Sequence, residues 1–161
     1  MKRLLVSAML FSAGALAAPG FALAQDSGDA ELRWTVRAVP VPGEEDAVDV
    51  VLDADIAPGW VVYASDFEPP QIGPRPARLK LDEAPGYRAD GKLQSPQARK
   101  GAGGNAVGEY AYTYFTGKAQ FRQRVRRKAG AAQVNGTLSG QSCYEQTGLC
   151  TLFRERFAVA L

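Results

Sequence analysis

Cys143 and Cys150 are the only two cysteines in the 161-residue sequence, with six residues between them. They lie in Gly140-Gln141-Ser142-Cys143-Tyr144-Glu145-Gln146-Thr147-Gly148-Leu149-Cys150-Thr151, a pattern that predicts the end of one strand, a turn and the start of the next. Residues facing each other across an antiparallel pair have Cα atoms about 4.5–5.5 Å apart, a separation that a disulfide spans. The two thiols can therefore pair, and two chemistries stay open. Spacing alone favours a permanent bond in an exported protein; the alternative is a bond that opens and closes. A closed loop of eight residues contributes only about 2.5 kcal/mol on the chain-entropy model. Such a bond is a weak staple, but it can open without unfolding a domain.

Composition removes most competing chemistry. The sequence has no histidine, which excludes a Ser-His-Asp triad, an HExxH zinc site, a histidine-held haem and a histidine pH switch. Two cysteines are too few for a zinc ribbon or a Cys-ligated iron–sulfur cluster. Asp53, Asp55, Asp66 and Glu68 offer carboxylates, but their spacing does not match an EF-hand loop, and they read as acids beside turns. Neither a metal nor a cofactor is expected. Thiol chemistry and binding remain.

Residues 1–24 read as an address. Lys2 and Arg3 precede an almost unbroken apolar run from Leu4 to Ala18, and Ala22-Leu23-Ala24 is a small-x-small cleavage site before Gln25. A secretory signal peptide is expected over 1–24, since the run is short for a bilayer span and no stop-transfer pattern follows. Its removal leaves 137 of 161 residues, and losing Lys2 and Arg3 reduces 19 basic residues to 17, against 17 acidic ones. A neutral exported chain gives no support to a nucleic-acid partner. Arg122, Arg124, Arg126, Arg127 and Lys128 form the one basic cluster. They alternate with Phe121 and Val125, which reads as the wet face of a strand.

The elements that must position the cysteines are all strands. After a polar leader, Gln25 to Ala30, two-residue alternation predicts strands over 32–39 and 48–55, and Pro58-Gly59 turns the chain into a third at 60–63. Further strands are expected at 78–81, near 110–115, and over 119–125, 133–140 and 151–160. Four prolines within 69–76 allow only an extended rim or crossover. Gly101 to Gly108 holds four glycines and reads as a mobile loop. No segment after residue 25 keeps a helical repeat. The expected fold is all-β, an immunoglobulin-like antiparallel β-sandwich over 25–161, although the distant cysteine spacing of an antibody domain is missing. Tyr110, Tyr112 and Tyr114 share one strand face, which suggests a sandwich wall or a peptide-docking surface.

Four pieces of sequence, in this order and spacing, carry a resemblance. Gly59-Trp60-Val61-Val62-Tyr63, Gly73-Pro74-Arg75-Pro76, the run Tyr114 to Phe121, and Val134-Asn135-Gly136 through Cys143 with Thr147-Gly148-Leu149-Cys150 together resemble the N-terminal periplasmic domain of the thiol:disulfide interchange protein DsbD, an immunoglobulin-like redox module. The resemblance covers most of the chain beyond the leader. It implies dithiol–disulfide exchange in the periplasm of a Gram-negative cell, passing electrons from a membrane or thioredoxin-like donor to an oxidised periplasmic client. It also implies that Cys150 enters mixed disulfides, that Cys143 resolves them and that Tyr63 lines the site. The sequence departs from the family twice. Residues 91–109 lack the aromatic with which the family shields its cysteines, so that Tyr110 is the first candidate, and Thr151-Leu152 replaces the family's usual proline. Glu145, inside the hairpin, reads as a solvated loop acid or as a charge that raises or orients a thiol.

Exchange of this kind needs a thiolate, a disulfide sulfur and in-line access, so the absence of histidine is no obstacle. Cys150 follows a turn and not a helix N-terminus, so a strongly lowered pKa is not expected and a partner's thiol would set the rate. With no thioredoxin or membrane domain before Leu161, the donor is expected in trans. Two other readings compete: an exported binding or assembly module with a purely structural disulfide, and a chaperone-like binder using the tyrosine strand for edge pairing.

Overall fold

A computed structural model describes residues 31–161; the expected leader and the polar stretch up to Ala30 lie outside the described residues. Ten strands follow one another: β1 (Leu32–Val41), β2 (Glu44–Ile56), β3 (Trp60–Tyr63), β4 (Arg78–Leu81), β5 (Tyr87–Gln94), β6 (Arg99–Asn105), β7 (Gly108–Thr116), β8 (Lys118–Arg127), β9 (Gln133–Tyr144) and β10 (Leu149–Ala160). They form two antiparallel sheets in the orders β1-β2-β8-β5 and β10-β9-β3-β7-β6, with β4 also paired to β9. The protein is an all-β, immunoglobulin-like sandwich.

Alternation builds its core. Leu32 and Trp34 of β1, Val50 and Leu52 of β2, and Phe121 and Val125 of β8 face inward from one sheet. Val62, Phe115, Leu138, Phe153 and Phe157 meet them from the other. Four rings run across the interlayer: Phe153 to Trp34 at 5.3 Å, Trp34 to Phe121 at 6.1 Å and Phe121 to Phe115 at 5.4 Å between centroids. On the opposite, wet face of β8 the arginine cluster is neutralised from both sides. Arg124 pairs with Asp49 at 2.9 Å, and Arg126 pairs with Glu44, Asp46 and Asp90 at 2.6–2.9 Å. The hydrogen bonds that Arg124 donates to Asp49, and that Arg126 donates to Asp90 and Asp46, raise both guanidinium pKa values, so these cations stay charged and occupied.

Two strands lie where none was expected. β5 is an edge strand whose pattern breaks at a register shift between Asp90 and Gln94, where Gly91 takes φ of 78°. β6 corrects the mobile-loop expectation for Gly101 to Gly108, since all seven residues of β6 pair in register with β7. The reason lies in the partner strand. Gly101 faces Tyr112 and Gly103 faces Tyr110, and a Cβ at either glycine would come within 2.6 and 2.9 Å of the opposing ring. Glycine here leaves room for a flat tyrosine, and the ring replaces the missing side chain. β9 and β10 repeat the device toward the core, with Gly136 opposite Phe157 and Gly140 opposite Phe153.

The proline-rich crossover is a strap over residues 65–76. Its ends meet where the Ala77 amide donates to the Ala64 carbonyl at 2.9 Å. It lies on the outer face of the larger sheet: Phe67 packs on Tyr63, Asn105 Nδ2 donates to the Ile72 carbonyl at 2.6 Å, and the Arg75 backbone amide donates to Gln141 Oε1 at 2.9 Å.

Candidate functional site

The hairpin of β9 and β10 brings Cys143 directly opposite Cys150, with Cα atoms 4.0 Å apart and the sulfurs bonded. The turn is short because Gly148, at φ 70°, supplies the left-handed residue that lets its amide return to the Tyr144 carbonyl at 2.9 Å. Its other side is tied to the start of β3, where the Glu145 amide donates to the Gly59 carbonyl at 2.8 Å. Gly59 is needed there: it has φ of 81°, and a Cβ would meet the Tyr144 ring at 2.6 Å.

Register places the pair on the outer face. Cys150, Cys143, Val61 and Thr116 form one row across four strands, and the next row in the same phase is Leu152, Gln141, Tyr63 and Tyr114. The intervening row, Thr151, Ser142, Val62 and Phe115, points inward. The two cysteines differ in access. Cys143 is 5% exposed under its neighbours, whereas Cys150 is exposed on the edge strand between Leu149 and Leu152, which are 60% and 73% exposed. The Cys150 side of the disulfide is therefore the one open to solvent.

Tyr63, Tyr110 and Glu145 fall in one electrostatic neighbourhood. Burial, then the hydroxyls of Tyr112 and Tyr110 and the Glu145 carboxylate, push Tyr63 above the usual tyrosine range. Tyr112 is raised in the same way, by burial and then by Tyr114, Tyr110 and Glu145. The rings form a continuous set, Tyr63 to Tyr112 at 5.4 Å, Tyr112 to Tyr110 at 6.1 Å and Tyr112 to Tyr114 at 5.7 Å. Tyr63 is one row from the cysteines, whereas Tyr110 stands at the far end of β7, its ring between Gly103 and Gly73 of the strap. A raised pKa fixes a sign. The neutral phenol is favoured in the fold, so its contribution to stability is complete below about pH 10 and is lost as pH rises through the folded value. Thermal midpoints measured from pH 9 to 11 should fall with pH, and less steeply in Tyr63→Phe.

Three further side chains lie beneath the pair. Ser142 and Thr151, inward neighbours of the two cysteines, share a hydrogen bond at 2.8 Å, and the Thr151 hydroxyl donates to Glu31 at 2.9 Å. Ser142 and Thr151 could have been found from strand phase around the cysteines. Nothing in the sequence points to Glu31, which is 120 residues from Thr151. The candidate carboxylates are dispersed instead: Asp53 binds Arg37 and Gln120, Asp55 binds Lys118, and Asp66 accepts from Thr113.

No curated protein is detectably similar to the chain. Among solved structures, the N-terminal periplasmic domain of ScsB from Proteus mirabilis is 15% identical at a TM-score of 0.47, covering 85% of this chain and 48% of that one. The chain thus spans about half the length of that structure. The Neisseria meningitidis DsbD N-terminal domain in the reduced form is 20% identical at a TM-score of 0.47, covering 73% of this chain and 79% of that one. The family model described as thiol:disulfide interchange protein DsbD, N-terminal, matches residues 29–160, which takes in every strand and both cysteines. By that match the chain belongs to the DsbD N-terminal domain family.

Proposed function

We propose that the chain, exported to the periplasm and trimmed to residues 25–161, is a thiol–disulfide exchange module acting through Cys150 and Cys143. One observation supports this most: the disulfide sits outside the hydrophobic core, on an edge strand, with one sulfur-bearing residue exposed and the other covered. A donor thiolate, membrane-bound or thioredoxin-like, attacks Cys150 Sγ, and Cys143 leaves as a thiolate that takes up a proton. The donor's second thiol then attacks its own sulfur in the mixed disulfide and releases Cys150. The reduced module carries two electrons and two protons. Cys150 attacks the disulfide of an oxidised client, and Cys143 closes the cycle by displacing the client's thiol.

The supporting residues have distinct parts in this reading. Tyr63 lines the approach to Cys150. Tyr110 seats the strap from the far end of β7. Glu145 places a negative charge in the turn, which disfavours a Cys150 thiolate and leaves ionisation to the partner.

The test is to equilibrate the purified protein in glutathione buffers of graded poise, count thiols by alkylation and mass, and follow far-UV circular dichroism in parallel. A reversible midpoint above about −270 mV with the β signal unchanged is expected, since structural disulfides lie below about −300 mV. A bond that opens only as the sandwich unfolds would overturn the proposal and leave a binding module with a permanent disulfide.

A further inference from the structure

The outer face that carries the disulfide also carries a block of cations with no carboxylate partner among the described residues. In the same phase as Cys150 and Leu152, β10 continues outward with Arg154 and Arg156; register sets Arg78 of β4 in the row of Arg154 and Lys80 in the row of Arg156. Arg75 of the strap stands beside them, its amide held by Gln141. All five are exposed. Among the described residues none of the five has a carboxylate within 4 Å, whereas Arg122, Arg124 and Arg126 of β8 are paired. Asp82 and Glu83, the acids that follow β4, form no ion pair with them. Arg75, Arg78 and Arg154 also line a cleft of about 350 Å³ whose floor and walls include Pro76, Leu152 and Phe153. The cleft begins one row from Cys150.

We infer that this basic face is the docking surface for a protein partner whose reactive thiol or disulfide is rimmed by acidic side chains, and that it orients the partner over Cys150. The inference rests on the exchange function proposed above and names the chemistry of its partner. In a near-neutral protein, leaving five cations unpaired on one face costs self-repulsion that a complementary acidic surface would relieve. The cleft between the strap and β10 takes an inserted side chain, and its end at Leu152 directs the occupant toward the exposed cysteine. A protein partner is favoured over an anionic membrane surface, since lipid contact at Leu149 and Leu152 would cover Cys150 and close it to exchange.

Two synthetic dithiol peptides, Cys-Gly-Pro-Cys extended by four aspartates or by four lysines, provide the test. The rate at which each opens the Cys143–Cys150 bond in the oxidised protein is read by quenched alkylation and mass. At about 20 mM salt the acidic peptide should react on the order of tenfold faster than the basic one, and at about 0.5 M salt the two should agree within about twofold. The double variant Arg78→Glu, Arg154→Glu should remove or invert the preference. The variant Arg33→Glu, Arg88→Glu, with the same change in net charge on exposed positions of the other sheet, should keep it. Equal rates at low salt, or an equal loss in both variants, would overturn the inference while leaving the exchange function in place. So would a protein without peptide preference that co-sediments with phosphatidylglycerol vesicles but not with phosphatidylcholine vesicles, since the cations would then face lipid. A bond that neither peptide nor dithiothreitol opens in the folded protein would overturn the exchange function itself, and the docking surface with it.

Discussion

Cys150→Ser is expected to reduce thiol–disulfide exchange to the background of a protein without thiols, while the sandwich stays folded. Cys143→Ser should behave differently. Its remaining thiol, exposed on β10, can still attack a client disulfide, but the displacing group is gone, and the covalent adduct accumulates. Non-reducing electrophoresis and intact mass would show an added band that dithiothreitol removes. Both variants lose the bond, whose short loop contributes about 2.5 kcal/mol, against the 5–15 kcal/mol typical of a folded domain. Neither cysteine belongs to the hydrophobic core, so the circular dichroism spectrum should not change. Adduct formation by Cys150→Ser instead of by Cys143→Ser would reverse the two roles.

Phe121→Ala carries the largest expected cost in stability. Phe121 is fully buried, and its ring joins Trp34 of its own sheet to Phe115 of the facing one. Truncation removes one of the two inner members of the four-ring chain between the layers. Large-to-small changes of a buried phenylalanine cost about 3–5 kcal/mol, a large share of the total stability of a domain this size. Urea unfolding should show the loss as a shifted midpoint with little change in slope. Phe121 points inward and the cysteines point outward from the opposite sheet, so the redox midpoint of the folded variant should equal that of the parent. A shifted midpoint would mean that core packing reaches the hairpin.

The sequence was most legible where one face is apolar and the other wet. Leu32, Trp34 and Val36 against Arg33, Thr35 and Arg37 announce β1, and the same alternation announces β2, β8 and β10. The cysteine hairpin was legible for a different reason, because two thiols on either side of a turn can face each other only if the strands pair. β5 and β6 were not legible. Tyr87 is the one buried residue of β5, and a register shift breaks its phase. β6 buries no side chain fully, and it owes its order to Tyr110 and Tyr112 on the neighbouring strand. Charge showed the same divide. A basic run on β8 stands out in sequence, yet its Arg124 and Arg126 are neutralised by Asp49, Glu44, Asp46 and Asp90. The cations of β4, β10 and the strap are scattered in sequence, and only the register gathers them beside Cys150.

The four glycines that lie opposite aromatic rings make substitution in this fold a matter of order. At Gly101, Gly103, Gly136 and Gly140 even a methyl group would come within 2.5–2.9 Å of the ring across the strand, so a direct step to alanine is closed. At Gly101, Gly103 and Gly140 the same step opens once the ring opposite has been replaced by a smaller side chain, and a restored ring closes it again; at Gly136 the Lys80 carbonyl, 2.8 Å from the same Cβ, keeps it closed. Each pair therefore behaves as a single heritable unit with a one-way path through it, ring first and glycine second. Descendants of this sequence should lose one of these glycines only where the ring opposite has already gone.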